Sequence, residues 1–219
     1  MQGCILFLQG TYPKADIEYY KKKCRGRFLV AVDGGYSFFR KTGLVPQALI
    51  GDFDSIGRMP RNLSPRTEVV RYASRKDKTD IELAVDYCFE RGMSDIQIVQ
   101  PSLGEPDQFV GNLMLLIRAG QLKRRVQGCS VHIINKRYEV CALAEGSGII
   151  IGGKGDCLSI IPISDKITLT LVGTEYDVTD LAISRGESRG LRNQIRLNRA
   201  HVRLRGTALV IRQFAKGKH

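Results

Sequence analysis

Residues 48–55 read ALIGDFDS, and this stretch places two carboxylates directly after a short apolar run. Side chains two residues apart in an extended chain point to the same face, so Asp52 and Asp54 can converge on one point. Carboxylates held that close repel each other unless a cation lies between them, and Mg²⁺ commonly binds one or two protein carboxylates together with phosphate oxygens. The alternative is a polar turn in which Asp54 or Ser55 caps the segment that follows.

The chain around this stretch alternates short, mostly apolar runs with helical patterns as far as residue 122. Short apolar runs bounded by turn residues are typical of strands buried in a parallel sheet. The predicted strands lie at residues 4–8, 28–32, 48–50, 68–72 and 96–99, and the predicted helices at residues 13–23, 36–41, 77–91 and 108–119. We therefore expect an α/β domain with a mostly parallel sheet over residues 1–123.

The pattern changes after residue 123 to short β-branched runs separated by turn residues, which is typical of an antiparallel sandwich or barrel. These runs lie at residues 131–135, 139–143, 148–151, 157–161, 167–172 and 208–212. We therefore expect a second, all-β domain over residues 124–219.

The composition is that of a globular protein with excess positive charge. The chain has 219 residues, 43% of them hydrophobic, which suffices for one large domain or two modest ones. A formal net charge of +12 and a pI near 9.6 indicate an anionic partner, either nucleic acid or a nucleotide. A basic solvated surface without a partner is the alternative.

The cysteines and the hydropathy profile indicate the compartment. The six cysteines are scattered without a C-x-x-C pair, which favours free thiols in a reducing cytoplasm and argues against a zinc site. No apolar run reaches 18 residues and residues 1–12 lack a secretory leader pattern, so we expect a chain that is neither secreted nor membrane-spanning. Any bound metal should be held by carboxylates.

Aspartates follow each predicted strand from the second to the fifth. They are Asp33, Asp52, Asp54, Asp77, Asp80 and Asp107. The carboxyl ends of parallel strands share one edge of the sheet, where ligands bind in open α/β folds. Each aspartate alone could be a turn former or helix cap, but their recurrence in four loops predicts an acidic site at that edge.

Other residues at this edge suit a nucleotide. Gly34 and Gly35 let the backbone approach a phosphate closely, and Lys78 lies near a predicted helix N-terminus. Thr79 and Glu82 form a capping-box pattern for that helix, with Asp77 and Asp80 as an alternative pair. Neither a P-loop nor a dinucleotide fingerprint is present, so a divalent cation must bridge the aspartates to the phosphates.

These loops resemble those of the thiamin pyrophosphokinase family. The resemblance rests on the motifs DGG (residues 33–35), GDFDS (51–55), DKTD (77–80) and DQ (107–108), in the family's order and spacing. It covers most of residues 28–119, with a fainter echo at residues 169–176 and 188–193. An α/β domain followed by an all-β domain is also the family's plan.

The resemblance implies transfer of a pyrophosphoryl group from ATP to thiamin, giving thiamin diphosphate and AMP, in a Mg²⁺-dependent homodimer with active sites at the subunit interface. The implied catalytic residues are Asp52, Asp54, Asp80 and Asp107, of which Asp52, Asp54 and Asp80 would hold Mg²⁺. The implied nucleotide-binding residues are Asp33, Gly34, Gly35, Asp77, Lys78 and Thr79, and the implied thiamin-binding residues are Gln108, Ser188, Asn193 and Tyr176. Either Asp54 or Asp107 would accept the hydroxyl proton.

The sequence departs from the family pattern in two loops. Residues 101–106 read PSLGEP, without the family's usual glycine pair and arginine. Arg192 stands where a serine is common and Ile195 where many members have an aromatic residue, so Tyr176 becomes a candidate for contact with thiamin. These changes keep open a related pyrophosphokinase acting on another small alcohol.

A basic nucleic-acid-binding protein is the hypothesis from a different class. It rests on the arginine-rich residues 185–212. Aromatic residues do not alternate with these arginines, so stacking on bases is not indicated. A solvated basic face, or attraction of ATP, is the favoured interpretation, and nucleic acid is not the expected partner.

Overall fold

The computed structural model describes residues 3–53, 63–73, 77–102, 104–123 and 130–215, with only the backbone described at residues 120–123. Asp54 and Ser55 therefore lie outside the described residues. The chain divides into two compact units, and the first contains the described residues between 3 and 115 together with residues 130–136. The second unit contains residues 116–123 and 137–215. The domain boundary after residue 123 stays a prediction.

The first unit contains a parallel sheet, as predicted. Its strands are β1 (Gly3–Phe7), β2 (Phe28–Val32), β3 (Ala48–Gly51), β4 (Glu68–Arg71), β5 (Asp95–Val99) and β6 (Ser130–Ile134), and they lie in the order β6-β5-β1-β2-β3-β4. The helices in chain order are α1 (Lys14–Cys24), α2 (Tyr36–Thr42), α3 (Asp80–Glu90) and α4 (Pro106–Lys123). Among the described residues, no helix combines the length and apolarity needed to cross a membrane.

The β6 strand corrects one expectation. The sequence placed residues 131–135 among antiparallel strands, but β6 pairs in parallel with β5, Ile96 lying opposite Val131. A short apolar run shows that a segment is a buried strand but carries no information about the direction of its neighbour.

The second unit is antiparallel, as predicted. One group of strands comprises β7 (Tyr138–Leu143), β9 (Cys157–Pro162), β12 (Asn193–Gln194) and β14 (Ala208–Gln213), in the order β12-β9-β14-β7. The other comprises β8 (Gly146–Ile151), β10 (Lys166–Val172), β11 (Val178–Ser184) and β13 (Arg199–Arg205), in the order β11-β10-β13-β8. Leu158, Ile160, Leu169, Val202 and Val210 contribute to the apolar core of this unit.

Strands β11, β12 and β13 were missing from the prediction. In β13, exposed residues such as Arg199 and Arg203 alternate with the buried Ala200, Val202 and Leu204. Alternation with a period of two is the signature of a half-buried strand. The sequence analysis interpreted this arginine-rich segment as a basic surface and therefore did not assign a strand to it.

An aromatic cluster supports the loop after β2. The rings of Phe7 and Phe38 stack with centroids 4.0 Å apart, and Phe39 meets Phe7 edge-to-face at 5.2 Å. The 3₁₀ turn Asp33–Gly35 connects β2 to α2, so the anchoring of α2 by Phe38 and Phe39 also fixes this turn. The cluster thereby positions Asp33.

Candidate active site

Three aspartates converge in the first unit. Asp33, Asp52 and Asp80 each offer a carboxylate oxygen, and these oxygens all lie within 4.8 Å of one another. Asp33 directly follows β2, Asp52 directly follows β3, and Asp80 begins the helix that comes after β4. The parallel order of β2, β3 and β4 brings these three chain segments to one edge of the sheet.

Asp33 has an unusual environment for a carboxylate. The residue is only 8% exposed, and its buried Oδ1 has no hydrogen-bond partner among the residues that the structure describes. Burying a carboxylate oxygen without a partner is costly, whereas a cation would compensate for it. The backbone of Asp33 is left-handed, with φ 43°, a conformation that aspartate adopts more readily than most residues.

The end of β3 is shaped to bring Asp52 close to Asp33. A Cβ atom on Gly51 would lie 3.0 Å from the Cβ of Asp33, so a glycine allows the two segments to approach. Phe53 is buried and left-handed, with φ 69°. A left-handed backbone costs a residue other than glycine about 1 kcal/mol or more, and such strain concentrates at functional sites. Asp52 therefore lies between Gly51, which approaches Asp33 closely, and Phe53, which has a strained backbone.

At the N-terminus of α3, one pair of residues caps the helix and a different residue belongs to the acidic cluster. Thr79 Oγ1 accepts a hydrogen bond from the Glu82 backbone N–H (3.4 Å), and Glu82 Oε2 accepts one from the Thr79 N–H (3.0 Å). This is the capping box expected for Thr79 and Glu82, rather than the alternative Asp77–Asp80 pair. Asp80 is the first residue of the helix and lies in the cluster.

Thr79→Ala is expected to lower the free energy of unfolding by about 1 kcal/mol, because it removes the side-chain acceptor of the capping box. Thr79→Ser, which keeps the hydroxyl, is the matched control and should stay close to wild type. Urea denaturation without nucleotide measures both. Equal stability of the alanine and serine variants would show that the cap contributes nothing.

The other predicted nucleotide-binding residues occupy varied positions. Gly34 and Gly35 lie in the 3₁₀ turn with Asp33. Asp77 and Lys78 are exposed, and the Lys78 Nζ lies 2.8 Å from Asp86 Oδ2 on α3. An exposed ion pair of this kind is weak enough to exchange for a bound phosphate.

Asp107 and Gln108 lie in the first turn of α4, and both are exposed. Asp107 Oδ1 accepts a hydrogen bond from the Gln108 backbone N–H at 2.8 Å. Asp107 is not one of the three aspartates that converge within 4.8 Å. The structure thus places Asp107 inside the first turn of α4, whereas the sequence analysis placed it in the loop before a helix at residues 108–119. Its part in the acidic site stays a prediction.

Gln9, after β1, was missed by the sequence analysis. A Cβ atom on Gly34 would lie 2.8 Å from Gln9 Cγ, so this exposed side chain lies directly over the turn that carries Asp33. The rule that selected the acidic loops also applies to the carboxyl end of the first strand. Gln9 escaped notice because the segment between the first predicted strand and the first predicted helix, residues 9–12, contains no aspartate.

In the second unit, the structure brings together two residues that are 17 positions apart, Tyr176 and Asn193. The Tyr176 backbone N–H donates to Asn193 Oδ1 at 3.1 Å, and Asn193 Nδ2 donates to the Tyr176 carbonyl at 2.7 Å. Ser188 lies in the loop before Asn193, and its carbonyl accepts from the Leu191 N–H. The predicted substrate residues Tyr176 and Asn193 are therefore neighbours.

The sequence of this chain is similar to those of known proteins. A family model described as the catalytic domain of thiamin pyrophosphokinase matches residues 20–128. The thiamine pyrophosphokinase of Bacillus subtilis (strain 168) is 30% identical over 194 residues, which cover 86% of this chain and 83% of that protein.

Two solved structures have a fold similar to that of this chain over nearly its whole length. The crystal structure of the Bacillus subtilis thiamine pyrophosphokinase has a TM-score of 0.81 at 26% identity, covering 97% of this chain and 99% of that chain. That of the thiamin pyrophosphokinase from Geobacillus thermodenitrificans has a TM-score of 0.79 at 23% identity, with the same coverage of both chains. The second likeness, at its lower identity, concerns the fold alone.

Proposed function

Because this chain belongs to the thiamin pyrophosphokinase family, we propose that it transfers the pyrophosphoryl group of ATP to the hydroxyl oxygen of thiamin, giving thiamin diphosphate and AMP. The observation that carries the proposal is the convergence of Asp33, Asp52 and Asp80 within 4.8 Å at the carboxyl edge of a parallel sheet. That edge is where open α/β folds bind their ligands.

We further propose that these three aspartates, together with Asp54, hold Mg²⁺. The donor set fits, because hard carboxylate oxygens suit this ion and the unpartnered Oδ1 of Asp33 offers a buried ligand. A bound divalent cation would neutralise part of the triphosphate charge during transfer. The four aspartates would hold this cation in a fixed place at the sheet edge.

The proposed reaction is an attack of the thiamin hydroxyl oxygen on the β-phosphorus of ATP. A new P–O bond forms, the bond between the α–β bridging oxygen and the β-phosphorus breaks, and AMP leaves with that oxygen. Asp54 or Asp107 accepts the hydroxyl proton. The backbone at Gly34 and Gly35 supports the phosphates, and alignment of the two reactants supplies a large share of the rate.

We also propose a homodimer with active sites at the interface between two copies, located in the cytoplasm. The family resemblance at residues 188–193 supports the first point. The second is supported by the described cysteines Cys4, Cys24, Cys88, Cys141 and Cys157, which are all free thiols, as suits a reducing compartment. Light scattering after size-exclusion chromatography measures the assembly, and a monomeric mass across working concentrations would contradict it.

The direct test is incubation of the purified chain with ATP, Mg²⁺ and thiamin while both products are followed. We expect AMP and thiamin diphosphate in equal amounts. Formation of ADP, or AMP release that does not depend on thiamin, would contradict the proposal.

The second candidate is a related pyrophosphokinase acting on another small alcohol. It is favoured by Arg192, which departs from the family pattern and has a left-handed backbone with φ 59° in the loop before Asn193. Replacing thiamin by other aromatic alcohols in the same assay separates the two. A higher kcat/KM for one of them would favour the second candidate.

A further inference from the structure

The turn at residues 173–177 is tightly held by its own aspartate. Asp177 Oδ1 accepts hydrogen bonds from the backbone N–H groups of Gly173 and Thr174, each at 2.8 Å, and its Oδ2 lies 2.6 Å from Arg196 Nη2. The bond from the Thr174 N–H, followed by those from Gly173 and the Arg196 charge, holds the pKa of Asp177 below its usual value. The turn is therefore fixed from within.

Asn193 fixes the same turn from outside. Its Nδ2 donates to Thr174 Oγ1 at 3.1 Å and to the Tyr176 carbonyl at 2.7 Å. Its Oδ1 accepts from the Tyr176 N–H at 3.1 Å and from the Gln194 N–H at 3.0 Å. A carboxamide has two donor hydrogens and two acceptor lone pairs, so these four bonds use its whole capacity. The side-chain carboxamide of Asn193 therefore has no donor hydrogen or acceptor lone pair left for a substrate.

The side chain that this arrangement displays is Tyr176. Its backbone N–H and carbonyl are both held by Asn193, and its neighbour Thr174 is fully buried, yet Tyr176 itself is 68% exposed. Because the turn is rigid, less conformational entropy of the Tyr176 backbone is lost when a ligand binds to the ring. An aromatic face is suited to a flat or cationic ring.

We propose that Asn193 is a positioning residue, which fixes the turn at residues 173–177 so that the exposed Tyr176 ring forms a preorganised platform for a planar aromatic acceptor. The proposal rests on the proposed function, in which that acceptor is thiamin, with a pyrimidine ring and a cationic thiazolium ring. Asn193 acts through Tyr176 and does not touch the acceptor.

The test is a double-mutant cycle on the KM for thiamin. Tyr176→Ala is expected to raise this KM about 10-fold with little change in kcat, because stacking on the ring would bind thiamin equally in the ground state and in the transition state. Asn193→Ala is expected to raise it in the same direction. The double variant should be no worse than Tyr176→Ala alone, because both changes remove the same platform.

Two results would overturn the inference. A double variant whose KM rises by the product of the two single effects would show that Asn193 acts independently of Tyr176. An unchanged KM for thiamin in Asn193→Ala would show that the turn needs no positioning. Ser164→Ala is the matched control, since it removes another side-chain acceptor of a backbone N–H, that of Thr207 at 2.9 Å, in the same unit. It should leave the KM for thiamin unchanged.

Thr174→Val keeps the inference testable if Asn193→Ala does not fold. It preserves shape while removing the hydroxyl that accepts from Asn193 Nδ2, and we expect a smaller rise in the same KM. Isothermal titration with thiamin separates the two levels of the proposal. Absence of turnover in the wild type contradicts the proposed function, whereas equal thiamin affinity of the wild type and Asn193→Ala contradicts the positioning role.

Discussion

Asp52→Asn is expected to lower turnover at least about 100-fold while leaving the fold intact, since loss of a carboxylate that we propose to hold Mg²⁺ would remove several kcal/mol of charge stabilisation in phosphoryl transfer. The asparagine keeps the shape of the side chain but not its negative charge. Asp52 follows β3 at the sheet edge and lies within 4.8 Å of Asp33 and Asp80 through their oxygens. Steady-state assays of AMP release measure the loss.

A second measurement separates metal binding from catalysis. Mg²⁺ alone, without nucleotide, should raise the thermal midpoint of the wild type, because a ligand that binds only the folded state stabilises it by about 2.7 kcal/mol at 100 times its Kd. The rise should shrink in Asp52→Asn. Glu18→Gln is the control, because the Glu18 carboxylate is exposed. Among the contacts described for this carboxylate, its ion pair is with Lys21, whose Nζ lies 3.0 Å from Glu18 Oε1. Wild-type turnover in Asp52→Asn would remove Asp52 from the active site.

The same substitution at the neighbouring aspartate extends the test to a residue outside the described part of the chain. Asp54→Asn is expected to nearly abolish turnover, because the motif GDFDS (residues 51–55), which resembles that of the family, implies a second metal-binding carboxylate at this position. The left-handed backbone of Phe53 rules out the extended-chain geometry that the sequence analysis used to bring Asp52 and Asp54 together. Unchanged activity in this variant would limit the metal site to Asp33, Asp52 and Asp80.

The acidic cluster could be predicted from the sequence because its cause is topological. Parallel strands end at one edge, so an aspartate that follows a recognised strand is placed there before any distance is known. Asp33 and Asp52 are of this kind. The capping box at Thr79 was equally accessible, since it depends on two residues three positions apart.

Features that depend on contacts between distant segments were not accessible from the sequence. The parallel direction of β6 depends on β5, and the saturation of the Asn193 carboxamide depends on a turn 17 residues earlier. Gln9 lies over Gly34 only because β1 and β2 are neighbours in the sheet. A pattern read along one segment contains none of these pairings.

Gly35→Ala is expected to produce the largest loss of stability, because its new Cβ would lie 1.7 Å from the Phe7 carbonyl oxygen and 2.5 Å from the Phe7 carbonyl carbon. Both are backbone atoms of Phe7, which is fully buried, so no side-chain rotation relieves the clash. The backbone of Gly35 has φ −59° and ψ −18°, which alanine adopts freely, so the effect isolates steric overlap. We expect a loss of at least about 4 kcal/mol, a large part of the stability of an ordinary domain.

Gly111→Ala is the matched control for this steric argument. Gly111 is exposed within α4, and in the described part of the chain a Cβ there would have no atom within 4 Å apart from its own helix backbone and chain neighbours. Alanine at this position should raise the free energy of unfolding by about 0.5–1 kcal/mol, because glycine loses more backbone entropy in a helix. Denaturant titration of both variants measures the contrast. A Gly35→Ala protein as stable as the wild type would show that the 3₁₀ turn can move away from β1, and the tight approach that positions Asp33 would then be no requirement of the fold.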